Sequence, residues 1–493
     1  MPPFARIAIA NRGEVAVRIA RTLRAMGIES LLACHPVDAR EPAARAVDRV
    51  LPLEGDDPLR AYLDGEQIAR LARDAGADAV HPGYGFLSEN AAFAERVAAE
   101  GLVFIGPPPG AIRAMGDKIA ARALAAERGL RVAPAILEAD DPATFVERAR
   151  ALGAPLLIKA SAGGGGRGMQ IVRDLAELPD ALARCRAEAA RAFGDERVYV
   201  ERFVERPRHV EVQVLADRHG ACLHLLDREC SVQRRFQKLV EEAPAPRLPD
   251  SVRRAMRDDA VALARAVGYE GAGTVEFVVT PDDDYSFLEM NTRLQVEHPV
   301  TECVTGLDLV EQQVRVAAGE PLAFRQADVR ARGVAIEVRV CAEEPDADFR
   351  PATGVVRLLR APEGEGLRLD AGVASGSRVS ASFDSMLAKL VAHGDTRDAA
   401  IARAIAGLRA LVLLGVPTNV DHLARVLDHD AFRAARVHTG FLAEHADALR
   451  GAPDAETREV VAAVAALAHR PLVEGIAAIP ALHRAIGAWG NAR

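Results

Sequence analysis

The chain has 493 residues, 49% of them hydrophobic, and a formal charge of −8 from 62 Lys+Arg against 70 Asp+Glu. That length allows roughly two to four domains, and the apolar fraction is too high for a disordered chain. The acidic balance excludes a protein that neutralises nucleic-acid phosphates, which needs a basic surface. Only four of the 62 cations are lysine, namely Lys118, Lys159, Lys238 and Lys389. Codon bias would account for the scarcity, yet each remaining lysine merits inspection, because Lys and Arg are not interchangeable where a compact point charge is needed.

The six cysteines (Cys34, Cys185, Cys222, Cys230, Cys303, Cys341) are scattered and form no CxxC pair. They read as reduced thiols, not disulfides or a zinc site. The opening MPPFARIAIA lacks a basic region followed by a long apolar run. No stretch approaches the ~18 consecutive apolar residues of a spanning helix. The expectation is a cytoplasmic protein with no membrane and no nucleic-acid partner.

Strand and helix alternate through the first hundred residues. Residues 6–11 (RIAIAN) form a β-rich run, and Gly13 opens a helix carrying Val15, Ile19, Leu23 and Met26 on one face. Residues 29–34 (ESLLAC) are the next strand. A helix near 68–75 and strands at 78–80 and 103–106 repeat the unit, which predicts a parallel sheet flanked by helices. The first turn holds Gly13 alone, so this Rossmann-like unit, residues 1–130, lacks a dinucleotide fingerprint. Residues 131–204 form the next expected domain, with strands at 156–160, 169–172 and 198–204 and a helix near 178–192. Residues 205–446 form a third, with β segments at 209–216, 221–226, 273–280, 285–291, 334–342 and 355–359. An Ala-rich, helix-prone tail occupies 447–493.

Residues 163–168 read GGGGRG, a match to G-x-G-x-x-G. A dinucleotide loop would open a helix, whereas this one runs into the β-type Met169-Gln170-Ile171-Val172, and no GK[ST] ending follows. Glycines between two strands suit a flap whose backbone N–H groups close over a nucleotide triphosphate. Lys159 ends the strand entering the flap, within reach of the same phosphates.

Two further β runs, GTVEFVV (273–279) and YSFLEMN (285–291), flank the turn Thr280-Pro281-Asp282-Asp283-Asp284. Glu276 interrupts the first run, and Glu289 and Asn291 project from one face of the second. Unpaired carboxylates are costly on apolar strands, and an oxygen-only set suits Mg²⁺. Just beyond lie Arg293, Gln295 and Glu297. They read as a small-anion site with a carboxylate close enough to accept a proton.

These residues resemble the biotin carboxylase family of ATP-grasp enzymes. The resemblance is carried in order by NRGEVAVRI (11–19), HPGYGFLSEN (81–90), MGDK (115–118), IKASAGGGGRGM (158–169), RHVEVQVLAD (208–217), ECSVQRRFQKLVEEAPAP (229–246), EMNTRLQVEHPVTE (289–302) and VHTGFL (437–442). It implies an α/β ATP-grasp fold with a Rossmann-like N-terminal domain, a mobile lid and a mixed-sheet C-terminal domain. Lys118 and Lys159 would bind ATP phosphates under a lid containing Gly164, Gly165 and Gly166. Glu201 and the backbone after it would hold adenine, with His209 and Gln233 lining the site. Glu276, Glu289 and Asn291 would hold Mg²⁺ or Mn²⁺. Arg293, Gln295 and Val296 would hold bicarbonate, and Glu297 would be its general base. Lys238 would neutralise the γ-phosphate and bicarbonate, Arg339 would stabilise the biotin enolate, and Tyr84 would lie near the biotin pocket. Lys389, in FDSMLAKL, is left without a role.

The implied activity is ATP- and bicarbonate-dependent carboxylation of carrier-linked biotin through carboxyphosphate, as the first half-reaction of an acyl-CoA carboxylase-type enzyme. Implied partners are a biotin carboxyl carrier protein or domain, a carboxyltransferase subunit, and a second copy in a homodimer or a larger complex. No lysine sits in a Met-Lys-Met context, so biotin is expected on another chain or another segment. Phe236 stands where many members have His, which removes a polar contact to the nucleotide. Two alternatives stand beside this reading: an ATP-grasp ligase activating a different carboxylate, and a nucleotide-binding regulatory module without turnover.

Overall fold

In the computed structural model, which describes residues 3–138, 141, 143–161, 168–451, 459 and 463, the opening alternation closes into a parallel sheet. Its strands are β1 (Arg6–Ile9), β2 (Glu29–Cys34), β3 (Arg49–Pro52), β4 (Ala79–His81) and β5 (Val103–Phe104), in the order β3-β2-β1-β4-β5. The helix Gly13–Ala25 packs Val15, Ile19 and Leu23 into the core beneath it.

The second sheet comprises β6 (Ala135–Leu137), β7 (Leu156–Ala160), β8 (Met169–Val172) and β9 (Val198–Arg202), in the order β6-β9-β7-β8 with antiparallel pairs. The helix Leu178–Phe193 covers it with Leu178, Ala181, Leu182 and Cys185.

The third sheet positions the chemistry. Its first strands are β10 (Arg208–Ala216), β11 (Cys222–Arg234), β12 (Gln237–Ala243), β13 (Gly271–Val279), β14 (Tyr285–Asn291) and β15 (Val334–Cys341). After the short pair β16 (Glu343–Glu344) and β17 (Arg350–Pro351) come β18 (Gly354–Val355), β19 (Leu358–Arg360), β20 (Leu367–Ala371), β21 (Arg378–Val379), β22 (Met386–Gly394) and β23 (Val412–Leu414). Eight of these strands join in the order β14-β13-β10-β11-β12-β15-β22-β20. Where a mixed sheet is expected, every ladder in it is antiparallel, because hairpins and antiparallel crossovers connect the strands. Val210, Val212 and Val214 of β10 pack against Met256, Ala260, Leu263 and Ala264 of the helix Asp250–Ala266. The intervening Glu211 and Gln213 are also fully buried, on the face that carries the polar cluster.

Two strand expectations need correction. Residues 355–359 do not form one strand. β18 pairs with β21 and β19 with β23, and the backbone changes partner between them, Val356 N bonding Ser377 O and Arg357 N bonding Leu414 O. The strand expected at 221–226 continues to Arg234. Its polar second half, beyond the expected strand, is held by buried partners across the sheet. The tail beyond residue 451, expected to be helical, falls outside the described residues except at 459 and 463.

Gly372, just after β20, is where the C-terminal part touches the start of the helix Gly13–Ala25. A Cβ there would lie 2.6 Å from Glu14 N and 3.0 Å from Gly13 C. Gly372→Ala is therefore expected to destabilise by about 1–3 kcal/mol through overpacking, seen as a lower denaturant midpoint at unchanged slope.

Candidate active site

The Lys238 ammonium on β12 is the hub of the buried polar cluster. It donates to Glu211 Oε2 (2.6 Å), Glu276 Oε1 (2.8 Å), Glu297 Oε1 (2.6 Å) and Gln295 Oε1 (3.3 Å). Burial works against its charge, but the three carboxylates outweigh it and hold the lysine well above its ordinary range. Two groups with metal-type donor atoms, His209–Glu211–Glu276 and Glu211–Cys230–Glu297, lie around this ammonium and share carboxylates it already bridges. Gln233 faces Lys238 in the β11–β12 register.

Arg339 on β15 holds the other side of Glu297. Its Nη2 donates to Glu297 Oε2 at 2.9 Å and its Nε to Glu241 Oε1 at 2.6 Å. Burial would raise the Glu297 carboxyl, but Lys238, Arg339 and Arg228 together pull it well below the usual carboxylate range. Glu297 is thus a carboxylate at neutral pH, gripped at both oxygens.

Behind it, Glu241 pairs in register with Glu337 of β15, and neither Glu337 oxygen has a hydrogen-bond partner. Burial raises Glu337 well above its ordinary value of 4.5. Lys389 and Arg339 oppose that shift, whereas Glu241 and Glu297 add to it. A carboxyl so raised holds its proton more tightly folded than unfolded, so it subtracts stability as pH climbs above 4.5 toward the folded value. Glu337→Gln, which cannot ionise, is expected to gain thermal stability relative to the wild type between about pH 5 and pH 8. Melting points across that range check the sign.

Glu276 and Glu289 face each other in the β13–β14 register. Asn291 Nδ2 and Gln295 Nε2 each donate to Glu276 Oε1 at 2.8 Å, and His209 Nε2 lies 2.8 Å from Glu276 Oε2. Burial favours the protonated form of Glu276, yet Lys238 and His209 hold it well below the usual range. Lys118 Nζ stands 3.4 Å from Glu289 Oε2. Two carboxylates and an amide oxygen are a hard-oxygen donor set of the kind that suits Mg²⁺ or Mn²⁺. Arg293 donates from Nη2 to Asn291 Oδ1 (2.8 Å) and from Nε to Glu89 Oε2 (2.9 Å), which ties this segment to the N-terminal part.

Lys159 of β7 and Arg122 of the helix Lys118–Glu127 both approach the Glu201 carboxylate on β9, Lys159 as a close ion pair and Arg122 at 3.6 Å. The Tyr84 ring lies 5.8 Å from Lys389 Nζ, and its buried hydroxyl has no hydrogen-bond partner. Val296 presents its carbonyl to Lys389. Gly164, Gly165 and Gly166 lie outside the described residues. All six cysteines are free.

Sequence reasoning missed Glu211, Arg228, Glu241, Glu337, Glu89 and Glu14. Arg228, fully buried, forms a close ion pair with Glu211 and also bonds Gln213 and Thr301. The signal that could have found Glu211 is HVEVQV, whose charged and amide residues alternate with valines in a strand too apolar to be an exposed face.

The family described as "Biotin carboxylase, N-terminal domain" matches residues 3–112, "Carbamoyl-phosphate synthase L chain, ATP binding domain" residues 117–325, and "Biotin carboxylase C-terminal domain" residues 337–444. The chain is 44% identical over 491 residues to the propionyl-CoA carboxylase alpha chain of Ruegeria pomeroyi, covering 95% of this chain and 72% of that one. It is 44% identical over 443 residues to biotin carboxylase 2 of Bacillus subtilis, covering 90% of this chain and 100% of that one. Among solved structures, the biotin carboxylase domain dimer of Hydrogenobacter thermophilus 2-oxoglutarate carboxylase, with MgADP, ADP and bicarbonate, matches with a TM-score of 0.88 at 38% identity. That match covers 91% of this chain and 99% of the other. With the Lys238 hub, the Glu276–Glu289–Asn291 set and these matches together, the chain belongs to the biotin carboxylase family of ATP-grasp enzymes.

Proposed function

We propose that this chain carboxylates carrier-linked biotin with MgATP and bicarbonate, and that the residues described above divide the work as follows. Arg293, Gln295 and the backbone of Val296 hold bicarbonate, and Glu297 takes its proton. A bicarbonate oxygen then attacks the γ-phosphorus of ATP, the bond to the bridging oxygen breaks, and carboxyphosphate and ADP form. Lys238 neutralises the charge shared by phosphate and bicarbonate, while Lys118 and Lys159 hold the remaining phosphate oxygens. Glu276, Glu289 and Asn291 would hold the divalent ion, which supplies charge neutralisation on the phosphates. Glu201, His209 and Gln233 line the nucleotide site.

Carboxyphosphate breaks down to CO₂ and phosphate, and the phosphate removes the ureido N–H proton of biotin. Arg339 stabilises the resulting enolate beside Tyr84, and the ureido nitrogen captures CO₂. The grip of Lys238 and Arg339 keeps Glu297 ionised, so it is ready to accept a proton. Sharing those cations with the bound anions raises its basicity at the moment of transfer.

The observation that carries this reading is the Lys238 ammonium bridging Glu211, Glu276 and Glu297 while Arg339 grips the second Glu297 oxygen. Biotin would be delivered by a carrier protein or domain, and its carboxyl group would pass to a carboxyltransferase subunit. Relatives named as subunits of propionyl-CoA, methylcrotonoyl-CoA and pyruvate carboxylases support such partners, and a dimer in the Hydrogenobacter structure supports a homodimer. Among the described residues no helix is long and apolar enough to cross a membrane.

ADP release with MgATP, with and without bicarbonate and free biotin, tests the proposal. Turnover is expected to require bicarbonate and to rise with biotin. Turnover indifferent to both would instead favour a ligase for another carboxylate, and tight ATP binding without turnover would favour a regulatory module.

A further inference from the structure

The fourth lysine has no part in the mechanism above, yet it is the most completely enclosed of the four. Lys389 lies on β22, paired in register with Arg339 on β15 and Asp370 on β20, and its side chain is 0% exposed. Its Nζ donates to the Val296 carbonyl at 2.7 Å, stands 3.3 Å from Glu14 Oε1 and lies 5.8 Å from the Tyr84 ring centre. Three segments distant in sequence meet at this one ammonium: the start of the helix Gly13–Ala25, the loop holding Tyr84, and the strap 295–297. Burying a charge without solvent is costly, and an apolar side chain of the same volume commonly serves a fold as well. The position therefore asks for a reason beyond packing.

Peptide geometry supplies one. The Val296 carbonyl and the Glu297 N–H belong to one planar trans unit and point in opposite directions, so a bond that fixes the carbonyl also fixes the N–H. Among the described residues, the Val296 and Glu297 N–H groups donate to no protein acceptor. One residue earlier, His298 Nδ1 lies 2.7 Å from the Gln295 carbonyl. Both carbonyls preceding Glu297 are thus held from behind, and the amides between them are left for an anion. Glu14 ties the lysine to the N-terminal part, where Gly372 packs closely on the Gly13–Glu14 backbone.

We infer that Lys389 is a positioning residue for the bicarbonate subsite, holding the Val296 carbonyl from behind so that the strap 296–297 presents its N–H groups to the anion. The inference rests on the function proposed above. It separates Lys389 from the other three lysines, which face phosphate or the anion itself, because Lys389 acts through the backbone and touches no substrate.

Steady-state kinetics of the full chain test it, with bicarbonate and ATP varied separately. Lys389→Met/Glu14→Gln removes the buried pair together, so no lone charge is left at Glu14. That variant is expected to raise the bicarbonate KM about tenfold or more, the effect of losing one hydrogen bond to a charged group, with the ATP KM within about twofold. Glu14→Gln alone keeps the bond to Val296 and is expected to leave the bicarbonate KM within about twofold. A folded double variant with an unchanged bicarbonate KM would overturn the inference. So would equal losses in both KM values and the melting point, or failure of every Lys389 variant to fold, since each marks a purely structural residue. A wild type that turns over without bicarbonate would overturn the functional proposal and this inference with it. A bicarbonate-dependent wild type beside unaltered variants sinks the inference alone.

Discussion

Glu297→Ala is expected to lower kcat by about 10³-fold or more while leaving ATP affinity within severalfold, because general-base removal typically costs 10²–10⁴ and the side chain also orients the reacting anion. The fold should tolerate the change. Lys238 keeps Glu211 and Glu276 as partners, and Arg339 keeps Glu241. Of the lysines assigned to ATP phosphates, Lys118 stands beside Glu289 and Lys159 beside Glu201, and only Lys238, which keeps two other carboxylates, is paired with Glu297. Calorimetric titration with MgATP beside the rate of ADP release separates the two quantities. Collapse of ATP binding would mean that Glu297 organises the nucleotide site rather than taking a proton.

The second large effect belongs to Lys238→Gln. The substitution leaves Glu211, Glu276 and Glu297, all buried, converging on a neutral amide. Breaking a buried ion pair by removing one partner costs about 3–5 kcal/mol, and here one cation serves three anions. Turnover should be lost as well, since the one cation proposed to serve both phosphate and bicarbonate is gone, and Arg293, Lys118 and Lys159 are each assigned to only one of them. Without Lys238 the carboxylates of Glu276 and Glu297 are no longer held so far below their usual range, so they protonate more readily as pH falls. The stability gap between variant and wild type is therefore expected to narrow from about pH 8 to about pH 5. Denaturant midpoints at the two pH values measure it. A constant gap would show that the carboxylates do not depend on Lys238 for their ionisation.

Local patterning made part of this molecule legible. The helix face of Val15, Ile19 and Leu23, the strands 156–160 and 169–172, and the hairpin bearing Glu276, Glu289 and Asn291 follow from periodicity and turn residues alone, and they stand where expected. The cluster around Lys238 could not be read that way. Glu211, Arg228, Glu241 and Glu337 are charged residues inside β strands, and whether such residues face solvent or a buried partner depends on strands far away in the chain. For the same reason the strand expected at 221–226 stops short of the polar half of β11, although Arg228 is fully buried against Glu211. The strand expected at 355–359 failed differently. Its Val355-Val356-Arg357-Leu358-Leu359 run reads as one strand, but two short ladders compete for it and the backbone divides between them. Lys389 was singled out by its rarity among arginines, and only the structure gave it Glu14 and the Val296 carbonyl as neighbours.

In the proposed reaction a bicarbonate oxygen attacks the γ-phosphorus of ATP, with Glu297 taking the proton. Turnover with ¹⁸O-labelled bicarbonate in unlabelled water reads that bond directly, because the attacking oxygen stays with phosphorus when carboxyphosphate releases CO₂. One ¹⁸O atom in each phosphate released is the predicted result, and phosphate whose new oxygen comes from water would contradict it.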